Sequence, residues 1–432
     1  MSLPTWANVY FRSNTNVPIL VQDVFGGIVE DKLIISCGCG SYPNAGKKRH
    51  FSRKTWGYDV PSLIKQWDQG VDKLNVSPIE LPDFPGRDRQ KGTSLVIDDG
   101  KILLCWGGFS YSPTEVINNE ILKLPKNNPK GLSDGWALLK VDNNWCWKKL
   151  PDLPPPLNSG SSLCYDNNWI YLFGGCEYLK SGFQTFHDSQ GNNEGLGARL
   201  YRMNLINLVN FIRKDGENEA PSWERLSDCT GTPRMNHVSQ LIDNHIYVLG
   251  GISGRPFGGE FYSTVDCWKY NISSDTWESI GKTPSSNTNW QSAVVLDKRW
   301  IVLIGGAHTF NKGSSNIQRK VIDKDKNLTN GYGEARFKKE LGTQGLMSAD
   351  IVLYDVIENT WGRIDGIKDG DVPLPRELNN PLVVKLRDDL IIVTTGEVEI
   401  LKSERRNIVT QLKTHLSNVF WIGKITKKES LT

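Results

Sequence analysis

Residues 237–253 read HVSQLIDNHIYVLGGIS, and this run decides the fold. An apolar-rich stretch leads into Asp243-Asn244, and a second apolar stretch stops at Gly250-Gly251. Runs of this kind are strands with two distinct faces, and Asp-Asn between them marks a tight hairpin. The pattern recurs as SSLCYDNNWIYLFGGCE at 161–177, QSAVVLDKRWIVLIGGAH at 291–308 and GTSLVIDDGKILLCWGGFS at 92–110. Two degraded copies flank these four. In GGIVEDKLIISCGCGS, at 26–41, Gly38-Cys39-Gly40 replaces the doublet; in LVVKLRDDLIIVTTGEV, at 382–398, Thr395-Gly396 does. The unit is therefore present six times.

Downstream of the doublets come a third strand, as in LYRMN ending at Asn204, WKYN at Asn271 and VLYD at Asp355, and a fourth carrying Trp147, Trp223, Trp277 or Trp361. Four short strands, repeated, make a propeller blade. A β-sandwich would not give six copies of one unit, and the His and Trp-Asp landmarks of WD40 repeats do not recur. The double glycine, then an aromatic, then a Trp resembles the kelch repeat, and the resemblance covers almost the whole chain. It implies an all-β, six-bladed kelch-type β-propeller: one domain over 1–432, with blades near 20–85, 86–155, 156–230, 231–284, 285–368 and 369–425 plus 3–12. The units exceed the roughly 50 residues of a kelch repeat, and the excess lies in loops.

The last unit lacks its fourth strand. After SNVFWIGKI (417–425) the chain ends in polar TKKESLT. PTWANVYF at 4–11 matches the missing strand, since Thr5-Trp6 repeats Thr276-Trp277 and Thr360-Trp361. The expectation is that this N-terminal strand completes the last blade, with Trp6 on its outer edge.

Composition narrows the function classes. With 51 basic and 48 acidic residues, the net charge of +3 gives no reason to expect nucleic acid or an anionic membrane as partner. No run approaches the roughly 18 apolar residues of a membrane span, and the N-terminus lacks a charged segment followed by an apolar stretch. Several of the eight cysteines sit in apolar runs, where a reduced thiol behaves as a small hydrophobe, so a cytoplasmic location is expected. There is no phosphate-binding loop, no His-Glu-x-x-His helix and no Gly-x-Ser-x-Gly elbow, and neither a cofactor nor a metal is expected.

The kelch resemblance implies that the first strand of each blade lines a central channel. It also implies that the loop after the glycines opens on the same face as the segment entering that strand. On the entering segments the candidate ligand contacts are Arg89, Asn158, Arg234, Asn236, Asn289, Trp290, Gln291, Arg376 and Asn379, with Gln90, Lys91, Ser159 and Asn380 beside them. A ring of amides and guanidinium groups with a Trp platform suits a polar, anionic or sugar-like ligand. The competing reading has each Asn bonding a turn and each Arg pairing with a nearby Asp. Candidate proton-transfer groups are His237, Glu177 in the loop after Gly175, and Glu334 in the long segment 307–345, which is a candidate lid. Among lone kelch propellers the N-acetylneuraminate mutarotases are nearest in architecture. That resemblance implies an isomerase acting by His or Glu proton transfer; the alternative is a non-enzymatic protein-interaction propeller. A closed polar cavity favours the first, and flat open loops with exposed aromatics the second.

Overall fold

Each copy of the repeat folds as a pair of neighbouring antiparallel strands; five pairs gain two more strands from the sequence that follows, and the sixth gains one from there and one from the N-terminal segment. The result is six four-stranded sheets. Their innermost strands are Phe25–Val29, Thr93–Ile97, Ser162–Tyr165, Val238–Ile242, Ser292–Leu296 and Leu382–Arg387 in blades one to six. These six pack side by side in numerical order, and blade six closes against blade one. The structure, a computed structural model, describes residues 6–14, 20–41, 50–71, 74–75, 77–110, 114–117, 120–123, 130–179, 182–186, 195–214, 219–254, 261–283, 290–306, 351–364, 378–395, 397–401, 412–416 and 420–427. Among the described residues no helix is long and apolar enough to cross a membrane.

Closure follows the sequence expectation. Trp6–Asn14 runs antiparallel to Phe420–Lys427, with Phe11 opposite Gly423 and Asn14 opposite Phe420. It is the outer strand of blade six, beyond Phe420–Lys427, Leu390–Thr394 and Leu382–Arg387. Sharing a blade between the two ends of the chain removes the exposed seam an open ring would have.

The doublets have a steric cause. Gly107 and Gly108 hold φ of 69° and 103°, and Gly174 and Gly175 hold 62° and 101°. In these two doublets the second amide reaches the next blade: Gly108 N donates to Asn158 O at 2.5 Å and Gly175 N to Arg234 O at 2.9 Å. A Cβ on Gly107 would meet that Asn158 carbonyl at 2.6 Å, and one on Gly108 would meet Gln90 O at 2.6 Å. In blade one the same job falls to Cys37 (φ 61°) and Gly38 (φ 93°), whose amide donates to Arg89 O. The true pair there is Cys37-Gly38, which corrects the sequence alignment by one residue. Thr395, at φ 59°, takes the first position in blade six.

The fourth-strand tryptophans seal the seams between blades. Trp147 Nε1 donates to Pro82 O (2.9 Å), Trp223 to Asp152 O (3.1 Å) and Trp277 to Ser227 O (2.8 Å), each in the preceding blade's terminal segment. Their rings pack on Phe84, Trp106 and Phe173 at 5.0, 5.7 and 5.1 Å. Trp223 lies just before its short strand, Glu224–Arg225, rather than within it. Blade one has no such Trp, and a helix covers its seam instead. Helix α1 (Val60–Asp68), capped by Asp59 on Ser62 N at 2.9 Å, buries Val60, Leu63 and Trp67 against Leu390, Ile392 and Ile422 of blade six. Helix α2 (Leu205–Arg213) likewise buries Leu208 and Ile212 against Ile97 and Ile102 of blade two. Each large apolar side chain buried this way contributes about 1.5–3 kcal/mol.

Candidate functional site at the channel mouth

One position of the repeat builds the mouth. The residue after each glycine doublet bridges back to the segment entering the inner strand: Cys39 to Gln22, Phe109 to Gln90, Cys176 to Ser159, Ile252 to Met235 and Glu397 to Asn379. Immediately after these partners, and at the matching place in blade five, the backbone turns left-handed. The residues are Asp23, Lys91, Gly160, Asn236, Trp290 and Asn380, with φ between 52° and 70°. Their peptide groups link blade to blade. Gly160 N donates to Lys91 O (3.3 Å), Asn236 N to Gly160 O (2.8 Å), Trp290 N to Asn236 O (3.2 Å) and Asn380 N to Trp290 O (3.0 Å). Gly, Asn and Asp tolerate this conformation, whereas a bulky aromatic pays about 1–3 kcal/mol for it. Lys91 and Trp290 are thus the strained members of the ring.

Below the ring lies the central channel, a cavity of about 690 Å³ whose lining begins with Gly92, Ser161, His237 and Gln291. Many of its polar groups already serve the framework. Ser162 Oγ lies 2.6 Å from both His237 Nε2 and Ser239 Oγ, Ser94 Oγ accepts from Gly26 N at 3.1 Å, and Ser292 Oγ donates to Pro381 O. Gln291 Nε2 donates to Gly305 O at 3.3 Å. His237 is wedged edge-on against Phe173 at 5.0 Å. Its burial, helped by the nearby Arg234 cation, pushes its pKa down to about 3. The ring is thus held neutral across the physiological range, and its Nε2 is engaged with Ser162 Oγ.

Arg89 and Arg234 also turn inward, into their own blades. Arg234 is fully buried: Nε donates to Thr232 O (3.0 Å), Nη1 to Gly250 O (2.9 Å) and Asp266 O (2.7 Å), and Nη2 to the Asp266 carboxylate, which also accepts from Trp268 Nε1 (2.7 Å). Arg89 repeats the arrangement with Arg87 O (2.8 Å), Gly107 O (3.2 Å) and Asp134 (2.7 and 2.9 Å), and Trp136 Nε1 donates to Asp134 at 2.8 Å. Burial opposes ionisation of Asp134 and Asp266, yet the facing guanidinium holds both below the usual carboxylate value. These pairs brace the doublet carbonyl to the third strand, so the competing sequence reading is the one the geometry supports. Asn158 is likewise engaged: its Oδ1 accepts from Tyr178 N at 2.8 Å and ties down the hairpin of Glu177–Leu179 and Gly182–Gln184.

Above the ring the picture changes. Lys91 Nζ stands 4.0 Å from the centre of the Trp290 ring and 5.8 Å from that of Phe183. Phe183 packs with Phe109 (5.2 Å) and Tyr178 (4.7 Å) in an aromatic wall. Glu177, only 7 % exposed, starts the hairpin that carries Tyr178. Burial pushes the neighbouring Cys176 thiol up, Lys91 pulls it down and Glu177 raises it, which puts both charges in its vicinity. Three buried polar atoms here have no partner among the described residues: Gln90 Oε1, Asn236 Nδ2 and Trp290 Nε1. Of the sequence candidates, Asn236, Trp290 and Glu177 therefore belong to this mouth, and Gln291 to the channel beneath. Asn379 pairs through its backbone with Glu397. Asn289, Arg376, Glu334 and the segment 307–345 lie outside the described residues. Lys91 and Phe183 were not among the chosen contacts. Lys91, Asn236 and Trp290 stand 16, 14 and 15 residues before their doublets, so aligning the glycines does not superpose them, and their equivalence shows only in the shared left-handed turn.

Comparison with known proteins agrees with this architecture. The Kelch motif matches residues 233–284, which contain the four strands of blade four. N-acetylneuraminate epimerase of Salmonella typhimurium (strain LT2) is 22% identical over 217 residues, 49% of this chain and 47% of that protein. N-acetylneuraminate epimerase of Yersinia enterocolitica is 21% identical over 232 residues, 52% of this chain and 57% of that protein. The chain thus spans about half the length of these curated relatives. A solved structure titled "Structure of YjhT" has the same fold, with a TM-score of 0.55 at 15% identity, covering 96% of this chain and 99% of that one.

Proposed function

The chain is a kelch-repeat β-propeller, and from that premise we propose that it binds a small polar, sugar-like ligand at the channel mouth and isomerises it by proton transfer at Glu177. The observation that carries this reading is a trio of buried polar atoms without a partner among the described residues, Gln90 Oε1, Asn236 Nδ2 and Trp290 Nε1, with Lys91 against the Trp290 ring. Leaving such an atom unmade costs about 1–3 kcal/mol, and a ligand rich in hydroxyls and carboxylate oxygens would satisfy both donors and the acceptor. Trp290 and Phe183 offer apolar faces for a sugar ring. The distant relatives named N-acetylneuraminate epimerase support the same ligand class.

The chemistry proposed is anomer exchange. The Glu177 carboxylate takes the hydrogen of the anomeric hydroxyl, the bond from the anomeric carbon to the ring oxygen breaks, and the ring oxygen takes a proton from water. Rotation and reclosure on the opposite face return both protons and give the other anomer. Glu177 is suited to this work by its place, since it starts the hairpin that carries Tyr178 into the aromatic wall of the mouth. Exchange spectroscopy by NMR on N-acetylneuraminate tests the proposal. Wild-type protein should speed interconversion, and Glu177→Gln should lose about 10²-fold or more of that gain while calorimetry still detects binding. Binding without any acceleration by the wild type would reduce the function to a binding protein; no binding at all would overturn the reading.

A further inference from the structure

The two inserted helices differ in what their polar sides do. In α1 the polar side chains fasten the segment that returns toward the fourth strand. Gln66 Nε2 donates to Ser62 Oγ (3.1 Å) and to Asn75 O (2.9 Å), and Asn75 N donates to Gln66 Oε1 (2.7 Å). In blade three, α2 and the returning segment 219–222 instead line a cavity of about 530 Å³. Asn204, Asn207 and Asn210 contribute from the helix, Glu219 and Ser222 from the segment, and Trp169 from the sheet. Trp169 opens the strand Trp169–Phe173, which leads up to Gly174-Gly175, so about 13 Å of strand sets this cavity apart from the channel mouth.

We propose that this cavity is a second ligand site, built for an uncharged saccharide. Asn204 serves the helix as its cap, with Oδ1 accepting from Asn207 N at 2.9 Å. The Asn207 and Asn210 side chains are exposed and make no hydrogen bond among the described residues, and the same holds for Glu219 and Ser222. Asn is a poorer helix former than Ala, Lys or Glu, so two of them on the open side of a nine-residue helix weaken it without bracing it. Residues three apart share a helix face, which sets the three amides in a row along the cavity. Each amide both donates and accepts, as sugar hydroxyls do. The indole beside them is held firmly. The Arg202 guanidinium lies 4.2 Å from the Trp169 ring centre and is itself fixed by both carboxylate oxygens of Glu224, at 2.8 and 3.1 Å. A fixed aromatic offers a sugar ring apolar contact at little cost in entropy. Other ligand classes fit less well. The described lining holds Glu219 and Glu224 and no basic residue, which repels anions. Arg202 on the indole repels a second cation. No cluster of three metal-ligating side chains occurs among the described residues, and a lining this polar rejects a lipid chain. A neutral, hydroxyl-rich molecule is what these groups match, and the volume falls within the roughly 300–1,000 Å³ of small-ligand sites.

The test uses the full chain with maltose, cellobiose and N,N′-diacetylchitobiose as uncharged probes and sodium glucuronate as the charged control. Calorimetry should detect binding of at least one of the uncharged disaccharides. In protein labelled with 5-fluorotryptophan, that sugar should shift the Trp169 resonance, which is assigned by its absence from Trp169→Phe. The double variant Asn207→Ala/Asn210→Ala should bind the sugar about tenfold or more weakly, because two amides leave the site. Its unfolding temperature should stay at or above that of the wild type, because Ala favours the helix. Asparagines with a merely structural role would not give that combination. Absence of binding by all three disaccharides overturns the site, and so does unchanged affinity in the double variant. A response confined to the Trp290 resonance places the sugar at the channel mouth and overturns it too. Displacement of the sugar from Trp169 by glucuronate overturns the selection by charge. The site does not rest on the proposed function, which the exchange measurement with N-acetylneuraminate tests separately.

Discussion

Arg89 and Lys91 are two residues apart, as are Arg234 and Asn236, yet the members of each pair serve different regions of the molecule. The arginines are buried inside their blades, bound to a glycine carbonyl and to Asp134 or Asp266. Lys91 and Asn236 sit at the left-handed ring, where Lys91 meets an aromatic face and the Asn236 amide nitrogen has no partner among the described residues. The alternation follows from the bridge between them. Gln90 and Met235 pair with Phe109 and Ile252, and the chain then turns through positive φ, so residues on either side of the bridge are sent to different places. Basic or polar character alone does not say which side of that bridge a residue serves.

If the division between framework and mouth is right, framework changes cost stability and mouth changes do not. The largest effect should come from removing residues 1–12. That deletion takes most of the outer strand from blade six and exposes the edge of Phe420–Lys427, so cooperative thermal unfolding, followed by circular dichroism, should be lost rather than merely shifted. A propeller that still unfolded cooperatively near the wild-type temperature would show that closure contributes little. Next in size is Arg234→Met. It leaves Asp266 facing a partly buried apolar group, and urea unfolding should show a loss of about 3 kcal/mol. Arg89→Met should behave alike, while Lys91→Asn should stay within about 0.5 kcal/mol of wild type, as surface changes do. Comparable losses for Arg234→Met and Lys91→Asn would erase the comparison.

The third effect is smaller and concerns His237, a channel-lining residue that works for the framework. Its pKa of about 3 lies below the usual histidine value, so the unfolded chain binds the proton more readily than the folded one. Stability from this group is fully present above the unfolded pKa of about 6.5 and falls as pH drops toward about 3, by at most about 1.4 kcal/mol per pH unit. His237→Gln should flatten that part of the stability–pH curve. An unchanged slope would mean that His237 titrates normally and would return it to the list of candidate acid–base groups.

Much of the fold was legible because its determinants are local. Strand alternation, turn residues and glycine doublets recur within each unit, and the Thr-Trp pair at the N-terminus identified the strand that closes blade six. The two helices were not read. Each is a nine-residue insertion between third and fourth strands, and its apolar face finds its meaning only against the preceding blade. Blade one's doublet was displaced by one residue because a cysteine in left-handed conformation stands where a glycine was sought.

The sequence by itself determined six blades, their strands and the closed ring, because periodicity and turn chemistry act over a few residues. Only the tertiary structure decided which polar side chains were already used. Arg89 meets Asp134 across 45 positions and Arg234 meets Asp266 across 32, while Lys91 finds Trp290 from the opposite side of the ring. Burial and partnership depend on what the fold brings alongside, and it is the twist of a propeller, not the spacing of its residues, that brings those groups together.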